Sequence, residues 1–148
     1  MKYEDLMEHK DIFFLGLAEP EVNSIRLFFG RSITSVIPEP LVIGEKELGD
    51  SYAITLDEEA PIIQVDFKSY IGYSVLNESF TVWDEYEDFK GRIFRIYNRS
   101  RYLDFISNGT IASDEHPGPF KHYGIVCVDH IVDIVSTQES VISVVKKN

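Results

Sequence analysis

Between Ile62 and Lys68 apolar and polar side chains alternate: Ile63, Val65 and Phe67 fall on one parity, Gln64, Asp66 and Lys68 on the other. A period of two is that of a β-strand, whose successive side chains point to opposite faces. A slip of one residue would turn the whole apolar set into water, so the register of such a strand is strongly specified. A chain built around it needs neighbouring strands and a second layer to cover the apolar face.

Other segments supply them. Ile12–Leu17 and Ser24–Phe29 read as strands, separated by the turn residues Glu19-Pro20-Glu21. Asp50–Leu56, the turn Asp57-Glu58-Glu59-Ala60-Pro61 and Ile62–Tyr73 read as an antiparallel hairpin, with Gly72 marking a bulge. Residues 34–50 carry Pro38, Pro40, Gly44 and Gly49 and read as an irregular loop with a short strand at Leu41–Ile43. Ser79–Trp83 predicts a short strand and Gly91–Tyr97 a longer one, with Ile93, Phe94 and Ile96 facing the core. Lys121–Val135 is too long for one regular strand and predicts two, or one bulged near Asp129-His130; Glu139–Val145 predicts a last strand, with an amphipathic helix as the alternative.

Helix is scarce. The first ten residues allow a short helical turn. Ser100 is a good N-cap, Tyr102, Leu103, Phe105 and Ile106 follow at helical spacing, and Asn108-Gly109 is a stop, predicting a helix over 100–107. The sum is one α+β domain over residues 1–148, mainly antiparallel sheet, curved or partly barrel-like, with one or two short helices. Ten Phe and eight Tyr suit strands and a well-filled core.

The formal net charge is −11, and it is unevenly placed. Residues 1–89 hold 19 Asp and Glu against 6 Lys and Arg; residues 90–148 hold 6 against 8. A negative field opposes nucleic acid, whose binding needs Lys and Arg to release counterions, and opposes an anionic membrane surface. It attracts a basic protein. The N-terminal residues are too acidic for a signal peptide and no apolar run is long enough to cross a bilayer, so the chain reads as cytoplasmic. Both monomer and homodimer stay open.

Candidate chemistry is thin. Asp114-Glu115-His116 with His122, Asp129 and His130 offers metal-ligand types, but the spacing fits no helical or ribbon metal motif. The lone Cys127 lies in the apolar run Ile125–Val128 and reads as a small hydrophobe; on a regular strand its parity parts it from His122 and His130. No metal, cofactor or catalytic residue is assigned. Arg92, Arg95, Arg99 and Arg101, interleaved with Phe94, Tyr97 and Tyr102, form a basic cluster suited to an anion, which Arg26 and Arg31 could join. The acids at 84–88 just before it offer internal ion-pair partners.

The acidic turns Asp57-Glu58-Glu59 and Asp84-Glu85-Tyr86-Glu87-Asp88, with Trp83 and Tyr86 among the charges, suit a recognition surface, since an aromatic anchor ringed by charge is a common interface arrangement. These turns, the charge asymmetry and the segment Lys121–Val135 give the chain a general character that resembles the small acidic immunity proteins of bacterial toxin–immunity systems. The resemblance implies a non-enzymatic inhibitor that neutralises a basic toxin or nuclease, its carboxylates standing where phosphates would bind. Against it stands a small-ligand binding domain with an Arg-lined anion pocket.

Overall fold

The computed structural model describes residues 1–146, the side chains of residues 39 and 41 aside. Ile62–Phe67 is the strand its alternation demands, with Ile63, Val65 and Phe67 buried. We number the strands β1 (Phe13–Ala18), β2 (Ile25–Gly30), β3 (Ser32–Thr34), β4 (Glu39–Ile43), β5 (Lys46–Ser51), β6 (Ile54–Leu56), β7 (Ile62–Phe67), β8 (Gly72–Asn77), β9 (Asp88–Lys90), β10 (Phe94–Arg99), β11 (Lys121–Val126), β12 (His130–Ser136) and β13 (Val141–Val145). The helix α1 spans Arg101–Gly109, and short 3-10 turns occupy Tyr3–Leu6 and Glu78–Phe80.

Two antiparallel sheets carry the core. Sheet one has the order β1-β2-β7-β13 and sheet two β8-β12-β11-β10-β9. Ile25, Leu27, Phe29 and Ile142 of sheet one share one buried cluster with Phe94, Ile96, Tyr123, Ile125, Val132 and Ile134 of sheet two. Phe29 meets Phe94 edge-on at 5.6 Å, and Phe67 meets Tyr123 at 5.0 Å. Tyr3 reaches into this layer, its hydroxyl 3.0 Å from the Gly124 carbonyl oxygen and 3.1 Å from that of Arg95. The arrangement is an α+β domain dominated by antiparallel sheet, and the sheets do not close into a barrel.

Several boundaries differ from the sequence reading. The hairpin expected from 50–56 and 62–73 does not form: β6 pairs with β3, and both edges of β7 are taken by β2 and β13. Those neighbours present buried Ile25, Leu27, Phe29 and Ile142 beside β7, whereas Tyr52 and Ile54 stay exposed. The 62–73 run breaks after Phe67 and passes into the other sheet as β8. Gly72 marks no bulge. It makes room for the helix, because a Cβ there would lie 3.0 Å from Ile106 Cδ1 and 3.1 Å from the Tyr102 hydroxyl.

Residues 79–83 form no strand; the Asn77 side chain accepts from the Ser79 amide at 2.9 Å and starts a 3-10 turn instead. Gly91, at φ +97°, turns the chain between β9 and β10, so the strand expected from 91 begins at Phe94. The segment read as an irregular loop forms the β4–β5 hairpin, with Gly44 at φ +65° in its turn. The expected division of 121–135 occurs at Cys127–Asp129, and 141–145 is a strand.

Candidate functional site

The antiparallel register of sheet two decides what meets on its outer face, away from sheet one. Gly72, Val135, His122 and Tyr97 lie in one row across β8, β12, β11 and β10; Ser74, Asp133, Gly124 and Arg95 lie in the next. The helix α1 packs on this face through buried Ile106, its N-terminus capped by the Ser100 hydroxyl, which accepts from the Leu103 amide at 3.0 Å.

A buried polar chain runs beneath the helix start. Ser100 Oγ lies 2.7 Å from His122 Nδ1, and His122 Nε2 lies 2.6 Å from Asp133 Oδ1. Tyr97 lies flat on the imidazole, with ring centroids 4.2 Å apart and planes 13° apart. Gly124 permits this, since a Cβ there would stand 2.5 Å from the Tyr97 ring. With Ser100 already accepting an amide, its hydroxyl hydrogen is free to donate to Nδ1 while Nε2–H donates to Asp133, so both imidazole nitrogens are engaged. The residue types are those of a nucleophilic triad. Ser100, however, is 0% exposed and its oxygen is engaged as a helix cap, so no substrate carbonyl reaches it.

The other end of the chain does reach solvent. A half-open pocket of about 280 Å³ lies over Asp133 and His122. The aromatic side chains Tyr97, Tyr102, Phe105 and Phe80 line it, together with the charged Glu87 and Arg101. Asp133 is 8% exposed, and its Oδ2 receives no hydrogen bond among the described residues. Burial, helped by the Asp133 charge, pushes the Tyr102 hydroxyl up to about 12.

The acidic run 84–88, read from sequence both as a recognition surface and as a source of ion-pair partners for the arginine cluster, folds onto that cluster. Arg101 pairs with Asp84, which holds that carboxyl below its usual range, and the Arg101 amide donates to Glu87 Oε2 at 3.1 Å. Arg99 Nε donates to the Tyr86 carbonyl at 2.6 Å, and both guanidinium groups sit over the Tyr86 ring. The Tyr86 hydroxyl bonds Asp104. Arg95 Nε donates to the Arg92 carbonyl, with its guanidinium 3.9 Å over Phe89. Asp88 accepts from the Asn98 amide group at 3.3 Å, while Glu85 is exposed with no side-chain partner among the described residues. Just before this run, Trp83 is 86% exposed and Phe80 81%.

The other sequence candidates lie elsewhere. Asp57, Glu58 and Glu59 form a separate turn between β6 and β7, where Asp57 Oδ1 accepts from the Glu59 amide at 3.1 Å. Arg26 pairs with Asp66 at 2.7 Å on sheet one, and the Arg31 carbonyl accepts from the Asp57 amide. His116 lies in an exposed loop and His130 packs edge-on against Phe14 at 5.3 Å, so neither joins His122. Among the described residues no group of three or more His, Cys, Asp or Glu side chains could hold a metal ion. Burial pushes the Cys127 thiol up to about 12, so it is no ready nucleophile. No described helix is long and apolar enough to cross a membrane.

Asp133 was not singled out from sequence. The signal was present: it interrupts the apolar run Ile131-Val132-Asp133-Ile134-Val135. A carboxylate on a strand flanked by buried residues requires a polar partner. Comparison of this chain with protein-family models, with curated proteins and with solved structures returns no match.

Proposed function

We propose that this chain is a non-enzymatic, inhibitor-type binding protein that captures a basic protein partner through the acidic, aromatic face formed by residues 80–88. The observation that carries the reading is Trp83, left 86% exposed directly before four carboxylates. A solvated indole beside Phe80 and Val82 is apolar area that a partner would bury, and such aromatic anchors dominate interface energetics. The net charge of −11 speeds encounter with a basic surface. Pairing of Asp84 and Glu87 with the start of α1 holds the run in place before any partner arrives, which lowers the ordering cost of binding.

The rival anion pocket draws less support. The guanidinium groups of Arg95, Arg99 and Arg101 are spent on internal partners, and Glu87 already occupies the amide that an incoming anion would use at the helix start. The immunity-type reading extends the same physics to a toxin or nuclease whose basic cleft the carboxylates would fill. The test is retention of proteins from the source cell's lysate on the tagged chain, at low and raised salt, against a Trp83→Ala, Glu85→Lys, Asp88→Lys variant. A basic protein held by the wild type, released by salt and missing from the variant is the expected result. Equal retention by both chains overturns the proposal.

A further inference from the structure

We infer that the pocket over Asp133 receives an arginine side chain of the basic partner, an inference that rests on the reading of residues 80–88 as the partner face. The pocket shares Phe80, Val82 and Glu87 with that face, so a partner seated on the aromatics lies against the pocket's own lining. Its electrostatics select a cation. Two carboxylates, Asp133 and Glu87, line it, and the guanidinium of Arg101 is already matched by Asp84.

Asp133 retains one acceptor for a charge-assisted hydrogen bond. His122 fixes Oδ1 of Asp133 and leaves Oδ2 open, on a residue 8% exposed, where low solvation strengthens attraction to a cation. The walls favour guanidinium over ammonium. Tyr102 and Phe105 line the pocket with aromatic carbon, which suits a planar, weakly hydrated group and its methylene stem, while Tyr97 is already stacked on His122. A carboxylate or phosphate would meet Asp133 head-on.

The experiment titrates the isotopically labelled protein with an acetylated, amidated Gly-Arg-Gly peptide and with the same peptide carrying citrulline, the uncharged isostere of arginine. Amide resonances of His122, Asp133 and Tyr102 are followed. The arginine peptide is expected to move them, and the citrulline peptide to bind at least about ten-fold more weakly. Asp133→Asn, which keeps an oxygen for His122, should weaken the arginine peptide by a similar factor; Phe105→Ala, an exposed wall substitution that leaves the buried chain intact, should weaken it several-fold. Equal shifts with both peptides, or no shift at these residues, overturns the inference. If the pocket stays silent while the 83/85/88 variant still loses a basic partner, the pocket assignment falls and the partner face stands. If the arginine peptide fills the pocket but no basic protein is retained, the partner reading falls and with it the partner's side chain as occupant.

Discussion

The imidazole of His122 lies parallel to the ring of Tyr97 while both its nitrogens are engaged, Nδ1 with Ser100 and Nε2 with Asp133. One buried side chain thus ties the start of α1 to β11, β12 and β10. Replacing it with alanine orphans Ser100 and Asp133 together and opens a void. His122→Ala is expected to destabilise the fold by about 3 kcal/mol, measured by urea unfolding at neutral pH. Ser100→Ala should cost about 1–2 kcal/mol, and the two changes should be less than additive because they break the same bond.

Gly124 tests the stacking from the other side. A methyl group there collides with Tyr97 at 2.5 Å. Gly124→Ala should destabilise by about 1–3 kcal/mol and shift the His122 ring resonances.

Alkaline pH is a further probe. Burial raises the Cys127 thiol to about 12, and the hydroxyl of Tyr102 is raised to about 12 as well. Both groups hold their protons more tightly folded than unfolded. Their contribution is therefore intact below the unfolded values, near 9 to 10, and is lost as pH climbs toward 12. Urea midpoints should fall across that window, and less steeply in Cys127→Ala. The folded protein should also resist iodoacetamide at pH 8 and react once unfolded.

Trp83 gives an optical readout of the partner face. An indole this exposed should emit at long wavelength and be quenched freely by acrylamide. Trp83→Ala should change stability by less than about 0.5 kcal/mol while removing partner capture. A blue-shifted, protected indole in the free protein would contradict the proposed surface.

Much of the fold is local enough to read from sequence. Ser100 and Asn108-Gly109 mark α1 because capping is chemistry within one turn, and Asp129-His130 marks the break between β11 and β12. Pairing is not local. Nothing within 54–56 says that β3 rather than β7 is its neighbour, because that choice is made by Phe29, Ile63 and Ile142 filling a shared core. The site divides the same way. The charges at 84–88 and 92–101 are plain in the sequence, but their mutual pairing depends on β9 lying beside β10. Asp133 finds His122 only through the register of β11 against β12.

Sheet one is finished by a strand made after all of sheet two. Strands β1, β2 and β7 precede β8–β12 in the chain, and β13 then returns to the open side of β7. During synthesis, Ile62–Phe67 therefore waits with one edge bare while five further strands emerge from the ribosome. Such late, long-range closure makes folding slow and leaves a sticky edge exposed meanwhile. A chain with this order of strands is expected to aggregate more readily the longer that edge of β7 stays unpaired.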